Sequence, residues 1–391
     1  MKKFHALIIL IAVLIVALAL NYYTIPVKES ADNKIIKIGF IAPLSGPGAG
    51  TGISAKQGFE LANEEFPDIN GKKIQVIFED DKTDPATGLS AAKKLVEVDS
   101  SKIIVSAFSG QTIAIAAYAN ENAFSLSSPV AASPKLSGIG KNFFRISSSS
   151  VDMAAKTAEV AYSKGFRKIA VMYELNDYPI GWKDSFKQSF ESLGGSIVGE
   201  EAFGSKDTDV KTQLTRLNDT NADAILILIL AAPTGIISLK QAKELGITKQ
   251  IIGNESFAFK PVLALGGISE GTIVSQYAYD ANSEATKKFF ADYRARFSSG
   301  DSELYAALGY DNYMILRSAI GACGEDSPGG GQALGGGQAL SGGQAECITA
   351  YVKGIREVNG VSGKYKINAL GDAERAIKMT IIRNGANVDY N

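Results

Sequence analysis

Histidine is all but absent from this 391-residue chain; the single one, His5, sits inside an apolar N-terminal leader. Beyond the leader, nucleophile activation of the Ser-His-Asp or Cys-His kind is excluded, as are zinc sites built on imidazole. Cysteine is limited to Cys323 and Cys347, and none follows the leader closely, which excludes a lipoprotein anchor on a cysteine. An excess of either charge is missing too. Forty Lys and Arg face 41 Asp and Glu for a formal net charge of -1, which speaks against a nucleic-acid partner. What remains is ordinary globular composition, 46% hydrophobic and 21% charged. A chain of this length exceeds one hydrophobic core, so two domains are expected.

The one long hydrophobic run is at the N-terminus. Lys2 and Lys3 precede apolar residues 6–20, and Asn21, Tyr22 and Tyr23 follow. This is the layout of an export signal. As a helix the run reaches about 22 Å against a hydrocarbon core of roughly 30 Å, which favours cleavage at the small-residue pattern Ala17-Leu18-Ala19. The alternative is an uncleaved anchor, with residues 25–33 (IPVKESADN) as a polar tether. Either way the globular part is expected outside the cytoplasm, periplasmic or extracellular, touching the membrane only through residues 1–33. In such a compartment disulfides persist. Pairing of Cys323 with Cys347 closes a loop over 324–346 and contributes about 3 kcal/mol in the chain-entropy picture. That loop carries GGGQAL at 329–334, GGGQAL at 335–340 and SGGQA at 341–345, a tandem insert with too little apolar surface to fold.

From Lys34 onward, short β-branched runs alternate with amphipathic stretches, the pattern of parallel sheets covered on both faces. Strands are expected at 35–41, 74–79, 103–106 and 124–127. Between them run helical stripes through Phe59, Ala62 and Phe66 and through Leu89, Ala92, Leu95 and Val96. A second unit repeats the scheme, with strands at 169–173, 197–203, 224–230, 250–252 and 272–276. Trp182, Phe186, Phe190 and Leu193 recur at helical spacing, so Trp182 reads as core. Two aromatic-rich helices, around 289–297 and 305–320, and a final strand at 377–382 complete the chain. Two α/β units with later additions predict two lobes between which the chain crosses more than once.

Catalytic constellations are lacking. The stretch Ser45-Gly46-Pro47-Gly48-Ala49-Gly50-Thr51-Gly52 follows a strand and precedes a helix, yet it spells neither G-x-G-x-x-G nor G-x-x-x-x-G-K-[ST]. It offers helix-terminal N–H groups at the carboxyl edge of a sheet, the usual ligand position in open α/β folds. The acidic group Glu79, Asp80, Asp81 and Asp84 resembles no calcium loop and reads as a solvated strand end. No cofactor and no metal site is expected.

The segments IKIGFIAPLSGPGAGTG, FEDDKTDPATGLSAAKKLV, SLSSPVAASPKLS and IIGNES, in that order, resemble the branched-chain amino-acid (Leu/Ile/Val) binding proteins, substrate receptors of ABC importers. The likeness runs over roughly 34–384 apart from the insert. It implies an α/β fold of two Rossmann-like, doubly wound lobes, the type I periplasmic-binding-protein fold, joined by crossovers near 145–149, 276–280 and 360–364. The N-terminal lobe would comprise 34–146 and 279–361, and the C-terminal lobe 147–278 and 362–391. The resemblance further implies a small amino-acid-like ligand, a membrane permease as partner, and no enzymatic activity. By position, Ser109 matches a serine that holds the ligand carboxylate. Val130, Ala131 and Ala132 match the loop whose backbone brackets the ligand, with Ala132 standing where the family often has Thr and Ser133 next to it. Tyr178 and Glu255 match a cleft tyrosine and the acid that pairs with the ligand ammonium. Thr51 replaces an aromatic, Ala231 or Ala232 a tyrosine, and Tyr305 keeps an aromatic wall. Alternatives are an anchored sensor domain using the same cleft, a receptor for amides, ureas or small carboxylates, and a Rossmann-like enzyme acting on a nucleotide-linked substrate.

Overall fold

A computed structural model of the protein describes residues 35–324 and 343–390. The leader over 1–33, its Ala17-Leu18-Ala19 pattern and the two GGGQAL repeats lie outside the described residues. Among the described residues, no helix is long and apolar enough to cross a membrane.

The first run of elements is β1 (Ile35–Ala42), α1 (Ala49–Glu65), β2 (Asp68–Ile69), β3 (Lys72–Asp80), α2 (Pro85–Glu97), β4 (Ile103–Ser106), α3 (Ser109–Glu121), β5 (Ser125–Ser128) and β6 (Phe143–Arg145). Their strands form a six-stranded sheet ordered β2-β3-β1-β4-β5-β6, parallel from β1 through β6. The second run is α4 (Ser150–Ser163), β7 (Lys168–Glu174), α5 (Asp177–Ser192), β8 (Ser196–Phe203), α6 (Lys211–Asn218), β9 (Ala224–Leu228), α7 (Ala232–Glu244), β10 (Gln250–Gly253), α8 (Lys260–Leu263) and β11 (Ile273–Tyr277). The chain then returns to the first sheet with α9 (Glu284–Arg296), α10 (Glu303–Cys323) and α11 (Gln344–Lys353). A small antiparallel sheet follows, β12 (Val358–Gly360), β13 (Gly363–Ile367) and β14 (Ala373–Arg375). Finally β15 (Ile377–Arg383) and β16 (Ala386–Asp389) complete a seven-stranded sheet ordered β16-β15-β11-β10-β9-β7-β8. Within it, β15 pairs antiparallel with β11 while the strands from β11 to β8 run parallel.

Burial explains the sequence pattern. All five residues of β9 (AILIL) are buried, because helices cover both faces of the sheet. In the first lobe, Phe59 of α1 packs at 5.0 Å from the Phe40 ring and edge-on at 5.0 Å from Tyr313 of α10. In the second, Trp182, Phe186 and Phe190 stack along α5 at 5.8 and 5.3 Å, and Trp182 is core as its spacing predicts. Helices α1 and α10 approach so closely that a Cβ on Gly58 would fall 1.7 Å from the Ala306 carbonyl oxygen, and one on Gly309 would fall 2.0 Å from that of Ala55. Only glycine permits that contact. Cys323, at the end of α10, is disulfide-bonded to Cys347 of α11, with Cα atoms 5.9 Å apart.

Two local expectations change. Gly50, Thr51 and Gly52 belong to the first turn of α1 rather than to a loop. Within the acidic group one member departs from a solvated strand end, for Asp81 is fully buried while Asp84 is exposed. Three of the four carboxylates serve the backbone: Asp80 accepts from the Leu44 N–H at 2.9 Å, Asp81 from the Thr83 N–H at 2.8 Å, and Asp84 caps α2 through the Thr87 N–H at 2.7 Å, while Glu79 pairs with Lys94.

Candidate functional site

Parallel strands that end in a loop and then a helix put their ligand-facing residues at the carboxyl edge of the sheet, where the strand order reverses. Here the first sheet reverses beside β1 and the second beside β7. The residues that follow β1, β4 and β5 (Thr51, Ser109, Val130 and Ala131) converge with those that follow β7, β9 and β10 (Tyr178, Leu230 and Glu255). Together with Phe108 and with Tyr305 from α10 they enclose a cavity of about 20 Å3. That is room for about one water molecule.

On the first-lobe side, Ser109 begins α3, whose N-terminus has no side-chain cap. The Ser109 hydroxyl accepts from the Ser133 N–H at 3.1 Å, and this is its only hydrogen bond among the described residues, so its own proton remains available to donate. A hydroxyl donor beside the positive end of a 13-residue helix favours an anion. The following loop is fixed from beneath. Arg145, 0% exposed, donates to the carbonyls of Ser133 at 2.8 Å and Ala131 at 3.3 Å and pairs with Asp372 at 2.7 Å.

On the second-lobe side the charge is reversed. Glu255, only 5% exposed, starts a short 3-10 turn after β10. It accepts protons from the Tyr178 hydroxyl, at 2.6 Å to Oε2, and from the Tyr305 hydroxyl at 3.0 Å. It makes no ion pair among the described residues. Burial drives its pKa up while the phenol and Asn254 hydrogen bonds oppose that rise. Both phenols are in turn pushed well above the ordinary tyrosine range by burial and by the adjacent carboxylate. Tyr178 follows β7 of the second sheet and Tyr305 lies on α10, which packs on α1 of the first, so Glu255 is one of the contacts that join the two lobes. Asn254, in its Asn-Glu-Ser sequon, is fully buried and donates to the Ile229 carbonyl at 2.9 Å.

Seven of the eight residues singled out in the sequence line one cavity: Thr51, Ser109, Val130, Ala131, Tyr178, Glu255 and Tyr305. Ala132 lies behind it, buried, its carbonyl accepting from the Ser150 N–H at 2.8 Å. Ser133 does not replace the missing threonine hydroxyl at the cleft, because its Oγ donates to the Asp177 carbonyl at 3.3 Å. Nor does the backbone of Ala131 face the cavity with free groups: its N–H donates to Ser128 at 3.0 Å and its carbonyl accepts from Ser147 at 2.7 Å. Ala231 and Ala232 start α7 and leave the wall to Leu230. Phe108 is not expected at the site from the sequence, and Leu230 is expected only as part of a buried strand. Phe108 immediately precedes α3 and Leu230 lies two residues before α7, and a place at a strand end just before a helix that opens at the cleft is the signal that would have found them.

The sequence model of the periplasmic binding protein family matches residues 35–372. A Leu/Ile/Val-binding protein homolog of Brucella melitensis is 27% identical over 314 residues, covering 78% of this chain and 84% of the relative. The structure is similar to that of LivJ, the branched-chain amino acid transporter substrate-binding protein of Streptococcus pneumoniae, solved with isoleucine. That similarity has a TM-score of 0.76 at 25% identity over 91% of this chain and 100% of the other. A solute-binding protein of an ABC transporter from R. palustris, in complex with 4-hydroxybenzoate, has a TM-score of 0.80 at 20% identity, covering 91% of this chain and 95% of that one, a likeness of fold.

Proposed function

Because the chain belongs to the periplasmic binding protein family, we propose that it is the extracytoplasmic receptor of an ABC importer and that its ligand is a zwitterionic α-amino acid. The observation that carries this reading is Glu255: a buried carboxylate, without an ion pair among the described residues, that faces a helix N-terminus across the cleft. The two ends of the cleft have opposite electrostatic preference, and an ammonium and a carboxylate on one carbon satisfy both. Ser109 and the α3 terminus take the carboxylate; Glu255 takes the ammonium, with Tyr178 and Tyr305 closing over it. A second carboxylate in place of the ammonium would meet Glu255 as a like charge.

Binding is then coupled to hinge motion. A cavity of about 20 Å3 admits an amino acid only if the lobes part, which breaks the Glu255–Tyr305 hydrogen bond. The crossovers at 145–149, 276–280 and 360–364 are the hinge in this reading. Segments 34–146 and 279–361 move against 147–278 and 362–391. A few kcal/mol of differential affinity suffices to shift such an equilibrium toward the closed form, which a permease then recognises.

Titration calorimetry of the purified protein with L-leucine, L-isoleucine and L-valine tests the assignment, with 4-methylpentanoate as the leucine analogue that lacks the ammonium. Binding of an amino acid is expected to weaken by about 1.5–3 kcal/mol in Glu255→Gln, the range for a hydrogen bond to a charged group. Equal affinity for leucine and 4-methylpentanoate, or an unchanged affinity in Glu255→Gln, refutes it.

A further inference from the structure

Beyond the Tyr305–Glu255 wall lies a second cavity, of about 230 Å3. Glu255 and Tyr305 line both spaces, so the narrow cleft beside Ser109 and this larger chamber share one partition. The chamber is mixed in character: Phe259, Leu263 and Leu304 line it together with Lys260, Asp301 and Glu303, and its three carboxylates outnumber its one ammonium. Two of those carboxylates are already served. Glu303 pairs with Arg294 at 2.6 Å and with Lys260 at 3.0 Å, and Glu255 accepts from the two phenols.

Asp301 is different. Its backbone is held on both sides, the N–H donating to the Gly50 carbonyl at 3.1 Å and the carbonyl accepting from the Lys260 N–H at 2.9 Å. Its half-buried carboxylate packs against Gly50 in the first turn of α1, where a Cβ would fall 2.1 Å from it, and makes neither a hydrogen bond nor an ion pair among the described residues. Burial pushes the Asp301 carboxyl up, against the nearby charge of Lys260. A carboxylate held in place by its backbone, partly desolvated and without a partner is costly unless a ligand supplies the counter-charge.

We propose that the chamber receives the far end of the ligand, and that this end is an ammonium or guanidinium that Asp301 accepts. The inference rests on the amino-acid reading of the Glu255 cleft and narrows it to α-amino acids with a cationic tail. An aliphatic tail in the chamber would bury Asp301 further without pairing it. An acidic tail would face three carboxylates.

L-Lysine and L-norleucine share one carbon skeleton and differ by the terminal ammonium, so the ratio of their dissociation constants isolates the tail. Calorimetric titration of the wild-type protein is expected to show lysine bound at least tenfold more tightly. In Asp301→Asn that ratio falls at least tenfold, and in Asp301→Glu the preference for lysine is retained. Norleucine bound as tightly as lysine, or a lysine preference unaltered by Asp301→Asn, overturns the cationic tail and leaves the amino-acid reading standing. Binding of neither amino acid overturns both.

Discussion

Removing the guanidinium of Arg145 gives the most demanding check on how the cleft loop is held. In Arg145→Met, Asp372 loses its ion pair and keeps a hydrogen bond from the Ser137 hydroxyl at 2.6 Å. The Ser133 carbonyl retains the Leu136 N–H at 3.1 Å, and the Ala131 carbonyl retains Ser147 at 2.7 Å. Leaving one partner of a buried pair uncompensated costs about 3–5 kcal/mol, and the surviving Ser137 contact places this case at the lower end. Removing both charges in Arg145→Met with Asp372→Leu abolishes the unpaired carboxylate. It leaves lost hydrogen bonds to two carbonyls and a Ser137 hydroxyl without its Arg145 and Asp372 partners, about 1 kcal/mol for each bond lost. The double variant is therefore expected to be more stable than Arg145→Met alone. Urea-induced unfolding followed by circular dichroism measures all four corners of this cycle. If Arg145→Met costs less than about 1 kcal/mol, or if the two single costs simply add, the pair is not what secures the loop.

Two further outcomes follow from burial and close packing. The Asp81 carboxyl is pushed up to about 7 by desolvation, from an ordinary value of 3.8. The folded protein thus holds that proton more tightly than the unfolded chain, so this group's contribution to stability is full below the ordinary value and is lost as pH rises toward 7. The loss is roughly 4 kcal/mol at most. Asp81→Asn should accordingly stabilise the protein in urea titrations at pH 8 and change little at pH 4, and the same shift at both pH values would refute the assignment. Gly58→Ala drives a methyl group into the Ala306 carbonyl and is expected to destabilise by about 1–3 kcal/mol or more, as overpacking does. A melting temperature unchanged by that substitution would contradict the close approach of α1 and α10.

What the sequence revealed follows from which signals are local. Strands such as β4 and β9 announce themselves because both faces are buried, so every position is apolar or small. β16 does not, since its ANVD is largely exposed; the cue was the Asn384-Gly385 pair, whose positive φ values of 51° and 72° make the hairpin turn from β15 into β16. Ser109, Tyr178 and Glu255 were picked out through the resemblance of the segments around them to the family's, and the fold brings all three to one cavity. The chemistry of Asp301 was not legible: its isolation depends on Arg294 and Lys260 taking Glu303, contacts between elements far apart in the chain. The same holds for Asp81, whose neighbours in EDDKTDP suggest solvation while the fold removes water from it alone.

The antiparallel seat of β15 against β11 sets a schedule. Gln276 and Thr380 touch across it although 104 positions separate them in the chain. Bringing such distant segments together costs loop-closure entropy before any cross-strand contact repays it, so this pairing is expected to form late in folding. Until it forms, the second sheet has one flank unsealed, its N–H and C=O groups awaiting the strand that covers them. The order of the strands thus makes completion of one lobe wait on a contact made across most of the chain's second half.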